Sequence, residues 1–387
     1  MERLKIVFWQ NINSMHQSAF LKALALEHDV TLVTTRKGSG REEMGWYEPE
    51  LKGVTMLHIR DIDWKGLIRA SAPQDVHVFA GLHAFAFIHR AFRYAMKRNV
   101  RVGVYAEPLM MKGFAGMVKQ WRGRLDALRF SDKIDFILCI GRECRRQYLG
   151  WGFPQRKLYD WAYVTEPIEP VYPSGDTPRP FRIIFPASWS QRKGADLLLE
   201  AAASIPSDLS FELICHSVPP GPPDAFLRRS MQRIEGMGHI KIHPYIDNAG
   251  VRMAIANADL LVLPSRFDGW GAVVNEALGA GTPVLVSDRC GASILIEGRP
   301  ILGKVMGLPD TCTLKDALMN AIKDGVPSID RREGIRSWAD RHISGTALAA
   351  HFMNILHASL QGAGKQTTAP WVAGMADPFS RNTSAVH

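Results

Sequence analysis

Apolar residues fall along this chain in short continuous runs that alternate with stretches of helical periodicity. Residues 4–9 form an apolar run of strand length, residues 18–26 carry apolar side chains at helical spacing, and residues 30–34 form a second strand-like run. This pattern predicts a β-α-β opening. Further strand-like runs at 76–80, 100–105 and 136–140 are separated by segments long enough for helices, an alternation that predicts a parallel sheet. The proline-rich stretch 166–180 has neither period and reads as an interdomain linker. Beyond it the rhythm restarts, with strands expected at 181–185, 210–215, 240–242, 260–263 and 284–286, and helices at 195–203, 251–256 and 272–280. Residues 335–360 read as helix, and the Gly-, Ser- and Thr-rich end of the chain reads as frayed. The expected organisation is an N-terminal Rossmann-like domain at 1–168, a linker at 169–180, a second Rossmann-like domain at 181–345, a helix at 346–361 and a flexible tail at 362–387.

Composition agrees with two soluble domains. The chain has 387 residues, 46% of them hydrophobic and 22% charged, which excludes disordered and fibrous classes. No apolar run approaches the roughly 18 residues of a membrane span. The opening residues read as a strand and not as a secretory leader, so a cytoplasmic location is expected. Five cysteines (Cys139, Cys144, Cys215, Cys290, Cys312) lie at wide spacings without a Cys-x-x-Cys pair, so reduced, packed thiols are expected and no metal cluster. The formal charge of +9 is uneven: residues 1–168 hold 26 Lys and Arg against 17 Asp and Glu, whereas residues 169–387 hold 21 of each. A basic N-terminal half points to an acidic partner, such as an anionic membrane surface, a phosphorylated acceptor or nucleic acid, or simply to a solvated face.

Two stretches carry chemistry. In residues 258–284 an apolar strand ends at Pro264-Ser265, a glycine-bearing loop follows, and a helix begins near Gly271. Gly269 and Gly271 would let a ligand approach the backbone, and the helix N-terminus suits a diphosphate. Asp268 and Glu276, eight residues apart, could accept hydrogen bonds from sugar and ribose hydroxyls, with helix capping and a solvated carboxylate as the plainer alternative. In residues 185–201 a strand runs into a loop bearing Arg192 and Lys193 just before a helix. Both cations would offset the charge of a departing diphosphate, because ligands of α/β sheets sit at the carboxyl ends of the strands. No Gly-x-Gly-x-x-Gly follows the first strand, which argues against a dinucleotide oxidoreductase.

Together these residues resemble the retaining glycosyltransferases of family 4, which have the two-domain GT-B architecture; the resemblance is specific over about residues 181–296 and diffuse elsewhere. Asp268 through Glu276 matches that family's donor motif of two acidic residues, usually both Glu, with Gly269-Trp270-Gly271 for the usual Gly-Phe-Gly. The resemblance implies that Asp268 contacts the sugar and Glu276 the ribose, that Ser265, Ala272 and Tyr245 border the donor, and that Lys193 faces the diphosphate. The Arg commonly found six residues before that Lys is Ala187 here, with Arg192 as the candidate replacement. His16 and Gln17 resemble a less common His-Gln variant near the acceptor cleft, and Glu107 occupies the loop where a family histidine is expected. The N-terminal domain would then take the acceptor and the C-terminal domain the nucleotide sugar.

The implied activity is retaining transfer of a hexose from a nucleotide-diphosphate sugar to a glycan or lipid-linked acceptor, in surface polysaccharide or glycolipid assembly. The donor is a substrate, and no cofactor or metal is expected. Asp61-Ile62-Asp63 is a DxD triplet, the metal motif of a different glycosyltransferase fold, and about one such triplet is expected by chance in a chain of this composition. The segment 113–125 mixes aromatics with cations; it reads either as a helix packed on its own sheet or as one lying on an anionic bilayer, which would make the protein peripheral on the inner face of the cell membrane. No nucleic-acid module is recognised. Alternatives are a catalytically silent GT-B protein that binds a sugar nucleotide or a partner, and a sugar-nucleotide epimerase.

Overall fold

The computed structural model describes residues 3–38, 47–168, 179–218, 225–244, 246–308, 310–360 and 367–372. The N-terminal half runs β1 (Lys5–Gln10), α1 (Met15–Ala25), β2 (Asp29–Thr34), β3 (Thr55–His58), α2 (Trp64–Arg69), β4 (Val76–Ala80), α3 (Ala86–Ala95), β5 (Arg101–Ala106), α4 (Gly113–Phe130), β6 (Phe136–Ile140), α5 (Gly141–Trp151) and β7 (Leu158–Trp161). Its strands make one seven-stranded sheet in the order β3-β2-β1-β4-β5-β6-β7. All neighbours pair in parallel. Helices cover both faces, so central strands such as β6 are buried along their whole length, which is why they read as continuous apolar runs.

The C-terminal half repeats the plan with β8 (Phe181–Phe185), α6 (Ala195–Ala203), β9 (Phe211–Val218), α7 (Ala225–Arg233), β10 (Ile240–Pro244), α8 (Asn248–Ala256), β11 (Leu260–Leu263), α9 (Val273–Gly279), β12 (Val284–Ser287), β13 (Gly303–Met306), α10 (Thr311–Asp324), α11 (Ile329–His342) and α12 (Gly345–Leu360). Its six strands follow the order β10-β9-β8-β11-β12-β13, again all parallel. In each sheet the strand order reverses beside the first strand, between β1 and β4 and between β8 and β11. Such reversals open a crevice at the strands' carboxyl ends, where α/β proteins bind ligands.

The end of the chain departs from expectation. The helical stretch 335–360 divides between α11 and α12, the latter close to the helix expected at 346–361, and α12 crosses back to pack on α1. Gly345 permits this, since a Cβ there would sit 2.2 Å from the Ala19 carbonyl oxygen. Phe352 then enters an aromatic cluster with Phe8, Phe20, Phe136 and Trp161, at ring distances of 5.6–6.1 Å. The expected flexible tail at 362–387 also needs correction over 367–372. Trp371 is buried, its carbonyl accepts from Arg299, and the Pro370 carbonyl bonds His342 at 2.8 Å. The linker 169–180 lies outside the described residues except for Arg179 and Pro180. Arg179 ties the linker's exit to the buried carboxylate of Asp259, which Arg332 also reaches at 2.9 Å, so this buried charge is fully paired.

Candidate functional site

The C-terminal crevice is built by two loops, one leaving β8 and one leaving β11. After β8 the chain makes a single tight turn at Gln191–Lys193, capped by the Ser190 hydroxyl. Gly194 follows with φ +76, and a Cβ there would lie 2.1 Å from the Pro264 carbonyl, so glycine is required for the loops to meet. That approach carries the Lys193 ammonium onto the Asp268 carboxylate, a partly buried ion pair between residues 75 apart in sequence. Arg192 does not join them. Its exposed side chain donates to the Phe267 carbonyl at 3.1 Å, and Ala187 is buried and offers no cation.

The glycines of the second loop act differently from the expectation of ligand approach. Gly271 has φ +90, and a Cβ there would sit 2.6 Å from the Cys290 sulfur, so the turn itself demands glycine. Gly269 faces Pro108 of the N-terminal domain, 3.5 Å from where its Cβ would be. Trp270 and Ser265 are buried, so neither presents its side chain to a donor. Trp270 donates from its indole to Asn275 at 2.7 Å, and the Ser265 carbonyl accepts from Ser287. Ala272 precedes α9, and the Val274 N–H of its first turn donates to the Gly271 carbonyl at 2.9 Å. Tyr245 lies outside the described residues.

Glu276 is buried on α9 and lines a 230 Å³ cavity between the domains, beside Thr165, Glu166, Asp340 and Ser344. Burial pushes its carboxyl up to about 7, against the opposing effects of the Arg252 charge and a hydrogen bond from Asn248. A carboxylate held this far from water gains from any hydroxyl that donates to it.

The N-terminal face supplies a larger cavity of 780 Å³ at the carboxyl ends of β1, β4 and β5, lined by His16, Gln17 and Glu107 among others. Ser14 caps α1 and so fixes His16, whose ring packs on Tyr163 at 5.3 Å. Gln17 accepts from Gln10 at 2.5 Å. Glu107 accepts from the Tyr163 hydroxyl. Its side chain is open to the cavity, yet crowding by protein raises its pKa, with the Asp268 charge adding to the effect. Sequence reasoning missed the chain of contacts that joins the halves: Trp270 to Asn275, Asn275 to the Tyr163 carbonyl at 2.9 Å, and Tyr163 to Glu107. Asn275 lay inside the acidic motif; Tyr163 gave no signal. A second tie joins Arg142 to Glu297 through two bonds of 3.1 and 2.5 Å.

Asp61 and Asp63 have local partners. Asp61 pairs with Lys37 at 2.8 Å, while Asp63 caps α2 and pairs with Arg69 at 3.0 Å. No helix among the described residues is long and apolar enough to cross a membrane.

Residues 180–324 match the family model for glycosyl transferases group 1. The lipopolysaccharide glucosyltransferase WaaG of Escherichia coli (strain K12) is 34% identical over 151 residues, 38% of this chain and 39% of that protein. Glycogen synthase of Thermus thermophilus is 33% identical over 106 residues, 27% of this chain and 23% of that one. The matched regions thus span less than two-fifths of these relatives. Among solved structures, Anabaena Alr3699/HepE in complex with UDP superposes with a TM-score of 0.70 at 13% identity, over 92% of this chain and all of the other. The WaaG crystal structure superposes with a TM-score of 0.56 at 17% identity, over 91% of this chain and 99% of that chain. Two parallel-sheet domains facing across a cleft, with these neighbours, are the GT-B fold.

Proposed function

We propose that the protein transfers a hexose from a nucleotide-diphosphate sugar to a glycan or lipid-linked acceptor, with retention at the anomeric carbon, a reading supported by the match of residues 180–324 to glycosyl transferases group 1 and by the GT-B fold. The observation that carries this reading is the Lys193–Asp268 pair at the carboxyl ends of β8 and β11. A diphosphate is the natural competitor for Lys193, and a sugar hydroxyl for the freed Asp268. As the sugar–phosphate bond breaks, negative charge grows on the leaving diphosphate. Lys193 and the opening amides of α9 stabilise that charge, and Arg192 joins them once it leaves the Phe267 carbonyl. Glu276 receives the ribose hydroxyls. With cations of the chain in this role, we assign none to a metal. The leaving phosphate takes the acceptor's proton. UDP, bound by the Anabaena neighbour, is the first nucleotide to try.

The acceptor enters through the N-terminal cavity beside His16, Gln17 and Glu107. The outer face of α4 leaves Phe114, Met117 and Trp121 exposed, next to Lys112 and Arg124. An apolar stripe edged by cations fits an anionic bilayer, which places the protein at a membrane surface in polysaccharide or glycolipid assembly. One observation favours a silent nucleotide-sugar binder as the second reading: buried Ala187 stands where a second phosphate cation is expected.

The deciding experiment is a thermal-shift screen against UDP, GDP, ADP, dTDP and their common sugar conjugates, followed by transfer assays in chelator. Stabilisation by one nucleotide, lost in Glu276→Ala, with transfer of its sugar, supports the transferase. Binding without transfer favours the silent protein, donor conversion without acceptor favours an epimerase, and no binding sinks the donor site.

A further inference from the structure

One wall of the N-terminal cavity carries charged groups that the donor chemistry leaves unused. Lys119, Arg122, Gly123 and Asp126 all line it, at i, i+3, i+4 and i+7 on α4, so they form one helical face. Gly123 lets α4 close on α5, since a Cβ there would sit 2.2 Å from the Trp151 ring. That approach buries Asp126. A buried carboxylate in mid-helix is costly unless paired, and its partner is His83, whose Nε2 lies 2.7 Å from Asp126 Oδ2. His83 sits on the turn after β4, at the carboxyl edge of the sheet. Against it packs His89, its ring tilted by 32° with centroids 4.4 Å apart, and His89 Nδ1 bonds the Leu82 carbonyl at 2.6 Å. The imidazole is therefore fixed in position. Asp126 holds a proton on Nε2, and Nδ1, without a hydrogen-bond partner among the described residues, is left to the cavity.

We propose that this wall is an acceptor subsite for an anionic sugar, in which His83 receives a sugar hydroxyl and Arg122 with Lys119 receives the anionic group. The assignment rests on the transferase reading and names the acceptor's class. Arg122 is exposed at the rim, one turn from Asp126. Lys119 donates to the Met110 carbonyl at 2.9 Å, a single bond that leaves further donors on the ammonium. Tyr47, Phe85 and Tyr163 line the same cavity and give the sugar ring aromatic faces to rest on. Asp126 acts only through His83 and is a positioning residue. Asp126→Asn can reverse the hydrogen bond, putting the imidazole proton on Nδ1 and turning an acceptor toward the cavity into a donor.

The test is calorimetric titration of the full chain with glucose, glucuronate and glucose 6-phosphate, with and without UDP. Wild type is expected to bind one of the anionic sugars at least about ten-fold tighter than glucose, and the tighter of the two identifies the anionic group. Arg122→Gln removes that preference, and His83→Gln and Asp126→Asn each weaken all the sugars that bind by about ten-fold, the loss of one hydrogen bond. UDP affinity stays at the wild-type value in every variant. Equal binding of all three sugars by wild type, binding of none, or wild-type sugar affinities in Arg122→Gln and His83→Gln overturns the proposal. Arg122 is exposed, so its variant keeps the test decisive if a His83 or Asp126 variant does not fold. Failure of UDP alone to bind counts against the donor site, since the sugar titrations without UDP still read this wall.

Discussion

The Lys193 ammonium meets the Asp268 carboxylate where the loops after β8 and β11 converge. On the proposed donor reading the pair must separate, with the diphosphate taking the cation and the sugar hydroxyls the carboxylate. The same pair keeps Asp268 from standing uncompensated in the closed cleft, where it also acts on Glu107. Lys193→Ala is therefore expected to lower kcat/KM for transfer by about 10²–10³-fold while leaving the circular dichroism spectrum unchanged. A loss under about three-fold in a folded variant removes Lys193 from the diphosphate site.

Glu276 gives a prediction in which stability and function move in opposite directions. Its folded-state pKa, pushed up to about 7, exceeds the unfolded carboxyl value, so the folded protein favours the protonated form. The folded state bears no penalty from this group at pH below the ordinary carboxyl range, and bears it fully once pH has risen through about 7. At one pKa unit per 1.36 kcal/mol the cost is about 3 kcal/mol at most. Glu276→Gln removes it. The variant's Tm should match wild type near pH 4 and exceed it by pH 8, while nucleotide no longer raises the Tm of the variant. Equal Tm values for the two proteins across pH 4–8 mean that Glu276 is better solvated than its surroundings imply.

The double winding was legible because strands buried on both faces leave continuous apolar runs, and β6 and β11 are clear cases. Strands with weaker apolar signal escaped: β3 is half open to solvent and β13 begins at a glycine. The Asp268–Glu276 motif marked the loop at the carboxyl end of β11 and the helix that follows it, but not the contacts its members make there. Trp270 and Ser265 turned inward, and Gly271 answers to Cys290. The bond across the cleft left no local trace, since the Asn275 amide meets the Tyr163 carbonyl only when the domains pack together. His83 and Asp126, 43 residues apart, are likewise joined only by the packing of α4.

The Tyr163 hydroxyl is the donor on Glu107, and a hydrogen bond to a carboxylate favours its ionised form. Desolvation by the surrounding protein and the Asp268 charge already raise the Glu107 pKa. Tyr163→Phe should raise it further, moving the acidic limb of the kcat/KM profile to higher pH with about ten-fold loss at the optimum if ionised Glu107 orients the acceptor. The pH profile of each protein, measured at saturating donor, decides the matter. An unshifted acidic limb assigns that limb to another group.

Helix α4 inverts the usual amphipathic arrangement. The face bearing Lys119, Arg122 and Asp126 turns toward the cavity, while Phe114, Met117 and Trp121 stand 77%, 63% and 66% exposed. Leaving such a stripe in water forgoes about 1.5–3 kcal/mol per large side chain, whereas a bilayer surface would accept all three, and anionic headgroups would add attraction to the flanking cations. Phe114→Ser with Trp121→Ser is therefore expected to cut co-sedimentation with vesicles containing phosphatidylglycerol by at least ten-fold, leaving nucleotide affinity unchanged. Raising salt should weaken the wild type on those vesicles by screening the cations and should have little effect on the small binding to neutral phosphatidylcholine. If wild type fails to sediment with either vesicle, the stripe does not serve a bilayer, and the acceptor has to reach the N-terminal cavity from solution.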